Sequence, residues 1–287
     1  LSNDLHAVTE TRSQLSAWCS AKGRALAVMR VYLHSATYYL QLPRDQLEFV
    51  LQRLRMYVLR SQVTLTDASP LLVQLGMSGA EAPALLTHTL GTSVSATNNS
   101  VTSLSLSGAT VSVLTLPGVQ PRFAVITSPA MADTLQRQWA SAATRIGSDG
   151  WSLLDIRAGI PSLCSATQDL FIPQMLNLDL IGALSFSKGC YPGQEIVART
   201  HHLGAVKRRM YYACTRTTVT PAAGTALYAT PTGQAIGQVI LAAPATAETV
   251  ELLAVLPTAD ATHQSIQLQE ADGPLLQFLQ LPYTLPK

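Results

Sequence analysis

The stretch Lys188-Gly-Cys-Tyr-Pro-Gly-Gln-Glu195 concentrates glycine, proline and chemically versatile side chains in a segment without helical or strand periodicity. Pro192 suits the first turn of a helix, because proline lacks the N–H that has no partner there and its φ angle is already helical. The sequence therefore predicts a helix over about 192–199, with Cys190 just ahead of its N-terminus. The positive end of that helix and the nearby Lys188 would favour the thiolate and lower the thiol pKa. Cys190 is the candidate reactive thiol.

The other residues of this stretch have two interpretations each. Gly189 and Gly193 permit either a positive φ angle or the close approach of a ligand to the backbone, and glycines at turns commonly serve purely steric needs. Gln194 and Glu195 can exchange hydrogen bonds with the amide edge of a pteridine-like ring. Glu195 equally fits a solvated first-turn acid that complements the helix dipole. Cys190 itself also fits a buried spacer in a glycine-rich turn.

Two further features flank the stretch. Trp151 follows the turn-like cluster 147–150 and offers a flat face on which a heteroaromatic ring could stack, although tryptophan is more often a core residue. Downstream lies a basic region that could hold carboxylates or phosphates, or form a solvated rim. Two adjacent histidines point in different directions, so no metal site is predicted there. The basic region comprises Arg199, His201, His202, Lys207, Arg208 and Arg209.

Composition narrows the functional classes. A chain of 287 residues predicts two or three domains. No stretch approaches the roughly 20 apolar residues that span a bilayer, so no membrane association is predicted. The net charge of +2 is far from that of a dedicated nucleic-acid binder. The four cysteines form no Cys-x-x-Cys pair, which argues against a zinc ribbon or a local iron–sulfur ligand set. Reduced thiols and a cytoplasmic location are expected.

The pattern of apolar residues predicts an α+β chain. Two β-rich runs, 24–33 and 37–42, predict a hairpin, and a helix is expected at about 44–60, followed by a strand at 62–66. The polar stretch 92–110 predicts a surface loop. After Gly204, six short β-like runs separated by proline and glycine predict a small C-terminal barrel. These runs are 206–214, 225–229, 235–241, 250–256, 266–268 and 275–281.

Several segments together, in order and spacing, resemble the YgfZ family. That family shares the fold of the aminomethyltransferase (T-protein) of the glycine cleavage system, so the resemblance implies a three-domain ring around a central folate site. We expect a discontinuous first domain over 1–66 and 147–203, a second domain over 67–146, and a C-terminal β-barrel over 204–287. The segments that carry the resemblance are Leu1-Ser-Asn-Asp4, Ala21-Lys-Gly-Arg24, Arg157-Ala-Gly-Ile-Pro161, Phe171-Ile-Pro-Gln174, Asn177-Leu-Asp179, Phe186 to Glu195, and Lys207-Arg208.

The resemblance also implies a function. It suggests a folate-binding accessory protein, with tetrahydrofolate or a derivative as ligand, that supports iron–sulfur enzymes and transfer RNA modification, and no metal. Trp151 matches a folate-contacting tryptophan, and Tyr191, Gln194 and Glu195 are further expected folate contacts. Lys188, Gly189 and Gly193 complete the motif around Cys190. A second folate-contacting tryptophan would lie before Leu1, where native sequence is expected to be missing. Iron–sulfur proteins are possible partners, and direct nucleic-acid binding is not predicted.

The sequence differs from the aminomethyltransferases at one point that bears on the reaction. Those enzymes carry an Asp pair soon after the glycines of the first hairpin, whereas the corresponding run here is Arg24-Ala-Leu-Ala-Val-Met29. Without that carboxylate the chain lacks a proton-transfer group commonly worth roughly 10²–10⁴ in rate. We predict that it is not a glycine-cleavage enzyme. Two alternatives stay open: a folate-dependent one-carbon transferase acting on another substrate, and a protein-docking module that uses the basic rim 199–209.

Overall fold

The computed structural model describes residues 1–230, 232–259 and 265–286. The chain divides into two compact units. One unit comprises Leu1–Asp4, Leu15–Met29 and Ile146–Lys287, and the other comprises Leu5–Gln14 and Arg30–Arg145. We call them the motif unit and the middle unit. None of the described helices is long and apolar enough to cross a membrane.

A three-stranded sheet, in the order β1-β2-β3, begins the fold. Its strands are β1 (Gln14–Cys19), β2 (Ala25–His34) and β3 (Thr37–Gln41). The predicted hairpin is confirmed, with Ser35 and Ala36 at positive φ angles in its turn. Every residue of β1 is buried, so this strand lacks the alternation of polar and apolar burial that makes a half-buried strand recognisable in a sequence.

The middle unit contains a four-stranded antiparallel sheet in the order β4-β7-β6-β5. Helices pack against it around a core that includes Leu86, Val113, Val125, Leu135 and Trp139. A 3₁₀ turn at Arg44–Gln46 leads into the first helix. The elements are α1 (Leu47–Arg55), β4 (Val73–Ser78), α2 (Ala82–Leu90), β5 (Val101–Leu106), β6 (Ala109–Leu116), β7 (Arg122–Thr127) and α3 (Pro129–Trp139).

Three predictions for the middle unit were wrong in part. The helix expected at 44–60 ends at Arg55, because the apolar residues that follow, such as Leu59, are exposed and have no core to join. The alternating run 62–66 is not a strand, and Val63 is exposed. Alternation predicts a strand only where a neighbouring strand edge is available. Part of the predicted loop 92–110 forms β5, which pairs with β6.

The motif unit is built around a curled, half-barrel sheet of six antiparallel strands in the order β12-β9-β10-β11-β8-β13. All six strands predicted after Gly204 are present. Two α-helices and the 3₁₀ helix Pro173–Leu176 complete the unit. The elements are α4 (Ser148–Arg157), α5 (Gln194–Leu203), β8 (Arg208–Arg216), β9 (Ala226–Thr230), β10 (Gln234–Pro244), β11 (Thr249–Pro257), β12 (Ser265–Leu268) and β13 (Gln277–Leu279).

Strand β11 is buried on both faces. Leu252, Ala254 and Leu256 belong to one apolar cluster, whereas Leu253 and Val255 belong to another. Successive side chains of a strand point to opposite faces, so the two clusters lie on opposite sides of the sheet. Helix α4 packs against β10 and β11. The separate C-terminal domain expected over 204–287 stays a prediction.

Candidate functional site: the motif turn

The segment 188–195, which we call the motif turn, leads into helix α5. The helix begins at Gln194, and Gly193 is its N-cap residue with a φ angle of 79°. The expected start at Pro192 was therefore wrong, because a left-handed residue at 193 interrupts the helical backbone. Cys190 lies three residues before the cap and is exposed. The field of a helix dipole falls off within about one turn, so the helix contributes less at Cys190 than the sequence suggested.

Two glycines fix the position of this turn. A Cβ atom on Gly193 would lie 2.2 Å from the Ser20 carbonyl oxygen and 2.5 Å from the Gly23 nitrogen. A Cβ atom on Gly23, at a φ angle of 68°, would lie 2.8 Å from Cβ of Ile196. The N–H of Gly23 donates to the Ser20 carbonyl at 2.9 Å and closes the turn between β1 and β2. Gly193 thus allows two backbone turns to pack together, whereas Gly189 is exposed, and no atom lies within 4 Å of a Cβ placed there.

Side chains within the turn hold its shape. The Lys188 Nζ donates to the Leu1 carbonyl at 2.7 Å and lies 5.2 Å from the centre of the Tyr191 ring. The Tyr191 N–H donates to Oε1 of Gln194 at 3.1 Å. Burial, and to a smaller extent the nearby Cys19, raise the pKa of the Tyr191 hydroxyl above its usual range. Tyr191 therefore stays protonated at neutral pH and can donate a hydrogen bond.

The turn leaves complementary polar groups available to a ligand. Glu195 is exposed, and its carboxylate has no hydrogen-bond partner among the described residues. Gln194 uses its oxygen internally, which leaves its amide N–H groups as donors. A carboxylate acceptor and an amide donor are the types of group that pair with the donor and acceptor edge of a pteridine. The turn therefore presents the types of polar group that the edge of a folate ring can bind.

Trp151 lies in the first turns of α4 and is partly exposed. The cluster 147–150 was expected to be a turn, but Gly147 is the N-cap of α4 and the Trp151 N–H donates to its carbonyl at 3.3 Å. Ser, Asp and Gly favour helix starts as well as turns, because both leave backbone N–H groups to satisfy. The flat indole of Trp151 is of the type that stacks on heteroaromatic rings.

Behind the motif turn lies a group of largely buried side chains, Gln174, Asp179 and Arg209, that we call the buried polar network. Arg209 donates to both carboxylate oxygens of Asp179, at 2.6 and 2.9 Å, and to the Gln174 carbonyl at 2.8 Å. Nε2 of Gln174 donates to the Val197 carbonyl of α5 at 2.6 Å. The network therefore ties the motif helix to β8, where Arg209 lies.

The basic region does not form a uniform rim. Arg209 is 5% exposed and bound in the network, so its assignment to a solvent-facing basic region was wrong. Arg199 and Lys207 are exposed, and Arg208 is half-buried. The His201 ring stacks on Phe186 with centres 3.8 Å apart. Arg208 and Arg209 are adjacent in sequence, but successive side chains of a strand point to opposite faces, so only one of the two is fully buried.

The four cysteines are all free thiols but differ in their surroundings. Cys19 is 2% exposed, and burial raises the pKa of its thiol to about 12. Burial, with a smaller effect of Glu251, also raises the pKa of Cys214. Cys190 is the exposed cysteine of the four. Within the described part of the chain, no three His, Cys, Asp or Glu side chains are grouped closely enough to hold a metal ion.

Comparison with known proteins identifies relatives over most of the chain. It is 35% identical over 224 residues to the tRNA-modifying protein YgfZ of Sodalis glossinidius, covering 78% of this chain and 66% of that protein. It is 33% identical over 208 residues to the protein of the same name from Colwellia psychrerythraea, covering 72% and 62%. The matched segments thus span somewhat less than two thirds of those relatives. No family model matches the chain.

A longer match and a structural match complete the comparison. The chain is 30% identical over 284 residues to the tRNA-modifying protein YgfZ of Yersinia enterocolitica, covering 98% of this chain and 84% of that protein. The structure resembles the aminomethyltransferase T of the Bartonella henselae glycine cleavage system, with a TM-score of 0.66 and 14% identity, over 96% of this chain and 76% of that one. The chain therefore has the aminomethyltransferase T fold and belongs to the YgfZ family.

Proposed function

We propose that this protein binds a reduced folate at the motif turn and supports transfer RNA modification and the maintenance of iron–sulfur enzymes. The observation that carries the proposal is the combination of an available acceptor and donor pair, Glu195 and Gln194, with an exposed Cys190 on a turn locked by glycine packing. Relatives named as tRNA-modifying proteins support the RNA-linked role. The fold, shared with an aminomethyltransferase, supports the folate-linked role.

In this proposal each residue has a limited task. Glu195 accepts hydrogen bonds from the pteridine amide edge, Gln194 and the protonated Tyr191 hydroxyl donate, and Trp151 stacks on the ligand. A bound folate supplies one-carbon or redox chemistry, and Cys190 presents a thiol beside it. The backbone contact between Gly193 and Gly23 holds the turn that carries Tyr191, Gln194 and Glu195, which reduces the ordering required when the ligand binds.

Calorimetric titration with tetrahydrofolate tests the binding half of the proposal. We expect Glu195→Gln to weaken binding about tenfold, because hydrogen bonds to a charged group are worth about 1.5–3 kcal/mol. Arg199→Gln, an exposed substitution on the same helix, is the matched control and leaves affinity unchanged. Absence of a binding signal at about 1 mM ligand, which corresponds to an affinity weaker than about 4 kcal/mol, contradicts folate binding.

Complementation tests the thiol. In cells that lack the native protein, we expect wild-type chain to restore iron–sulfur enzyme activity and the content of modified nucleosides in transfer RNA, measured by mass spectrometry. Cys190→Ser removes the nucleophile with little change in volume and loses rescue, whereas Cys214→Ser keeps it. Full rescue by Cys190→Ser and Cys190→Ala would reduce the proposal to folate binding alone.

The first hairpin argues against glycine cleavage. The run from Arg24 to Met29, most of it buried in β2, contains no carboxylate that could serve as a proton-transfer group. We expect purified protein to release no ammonia from an aminomethylated lipoyl donor in the presence of tetrahydrofolate. Ammonia release that depends on this chain would instead favour a T-protein-type transferase.

A further inference from the structure

A concave site lies in the motif unit, apart from the motif turn. Its volume is about 410 Å³, and it is lined by Arg24 and Arg208 together with apolar side chains. We call it the arginine cleft. Trp151 and residues 188–195 do not line it. A cavity of roughly 300–1,000 Å³ with an apolar floor and a few polar groups is typical of small-molecule sites. The apolar floor includes Leu170, Phe171, Met175 and Ile236.

Arg208 is positioned by a β-bulge. The pairing of β10 with β9 shifts register between Ala235 and Gly237, which places Ile236 at the irregularity. The Ile236 carbonyl accepts a hydrogen bond from Nη2 of Arg208. The Arg208 Nε is buried and has no partner among the described residues. Bulges that redirect groups at a sheet edge are frequent beside functional sites.

Arg24 belongs to the turn that packs against the motif turn. Its Nη1 donates to the Asp169 carbonyl at 3.2 Å, while the carboxylate of Asp169 accepts from Oγ of Ser20 at 2.7 Å. Among the described residues, neither arginine of the cleft forms a salt bridge with a carboxylate. None of the residues that line the cleft is acidic.

Arg24 and Arg208 line one cavity and carry like charges, which repel each other. Each group is held by a backbone carbonyl, which fixes its direction without neutralising its charge. An anion that accepts hydrogen bonds from both groups would remove the repulsion and form charge-assisted bonds. Phe171 and Met175 would contact an apolar body attached to that anion.

We propose that the arginine cleft binds a carboxylate or phosphate carried on an aromatic or other flat apolar body. The shared chemistry is an oxyanion gripped by Arg24 and Arg208 with its body on the apolar floor. Two sources offer it: the glutamyl end of a folate-like compound and the phosphate of a nucleotide. The site does not depend on the motif turn binding a pteridine.

Calorimetry with p-aminobenzoylglutamate and with adenosine 5′-monophosphate tests this proposal and separates the two sources. We expect one of these probes to bind, and increasing sodium chloride to weaken its binding. Arg208→Gln and Arg24→Gln should each weaken it about tenfold or more, and Arg208→Lys should retain part of the affinity. Because Arg24 is exposed, its substitution keeps the test valid if Arg208→Gln fails to fold.

Each arginine has a matched control, one on the same turn and the other on the same strand. Lys22→Gln removes an exposed charge from the same turn as Arg24, and Arg216→Gln removes one from the far end of β8. Both should leave probe affinity unchanged. Glu195→Gln should also leave probe affinity unchanged. A pterin without a glutamyl tail should bind equally to the wild type and Arg208→Gln. These two controls separate a failure of the arginine cleft proposal from a failure of folate binding at the motif turn. Binding of neither probe at about 10 mM, or equal binding by the wild type and both glutamine variants, overturns the proposal.

Discussion

The motif turn and the buried polar network are neighbours in the fold and both fall in segments that carry the family resemblance, yet their surroundings are opposite. The turn exposes Cys190 and Glu195, whereas Arg209 and Asp179 are shielded and bound to each other. An exposed polar group without a partner is available for a ligand. A buried, bidentate ion pair is occupied by the fold itself. The segments that carry the family resemblance therefore include two kinds of residue. Some support the structure around the site, and others are exposed and available to a ligand.

The largest expected loss of stability comes from breaking the buried ion pair between Arg209 and Asp179. Arg209→Gln or Asp179→Asn leaves an uncompensated charge in a site where both side chains are about nine-tenths shielded. Loss of one partner of a buried pair costs about 3–5 kcal/mol of unfolding free energy. Urea unfolding followed by circular dichroism measures it. Arg199→Gln, which removes an exposed charge on α5, should change stability by no more than about 0.5 kcal/mol. A comparable loss in both variants would contradict the distinction.

A smaller effect tests how the motif turn is held. Gly193→Ala introduces a Cβ 2.2 Å from the Ser20 carbonyl and places alanine at a φ angle of 79°. We expect a loss of roughly 2 kcal/mol, since an L-residue in the left-handed region costs about 1–2 kcal/mol before any displacement of the neighbouring turn. Gly189→Ala is the matched control, because it meets no atom within 4 Å. Equal stability of the two variants in the same urea titration would show that the glycine contact is unimportant.

The smallest expected change in stability concerns the exposed Cys190 and tests its accessibility. Cys190→Ser should alter the unfolding free energy by no more than about 0.5 kcal/mol, because the side chain is on the surface. Iodoacetamide at neutral pH should modify Cys190 and spare Cys19, as peptide mass spectrometry would show. Modification of Cys19 at the rate of Cys190 in the folded protein would contradict the assigned burial.

The buried thiol also predicts a pH dependence. Burial raises the pKa of Cys19 to about 12, above the value of about 8.5 expected in the unfolded chain. The stabilising contribution of the protonated thiol is therefore complete below about pH 8.5 and is lost as the pH rises towards 12. A Cys19→Ala variant should show a shallower loss of stability over this alkaline range than the wild-type protein. An identical slope would indicate that the thiol is not buried in solution.

Periodic elements could be predicted from the sequence because their signals are local. The hairpin of β2 and β3 and the six strands after Gly204 follow from short apolar runs bounded by turn residues. Strand β1 is buried along its whole length, polar residues included, so its burial does not alternate between the two faces. The run 62–66 has alternation but does not form a strand. A strand forms only where a partner strand is available, and partner strands can be distant in sequence. The local pattern therefore could not predict that β1 forms or that 62–66 does not.

The sequence by itself determined the family through its motif spacing, and it singled out Cys190, Glu195 and Trp151 as candidates. Only the tertiary structure decided which residues are available. It placed Arg209 inside and Arg208 on a cleft, although the two are adjacent, because successive side chains of a strand face opposite ways. It also showed that Gly193 serves a contact with Gly23, 170 positions away in the chain. Contacts of that range depend on packing, which no local pattern encodes.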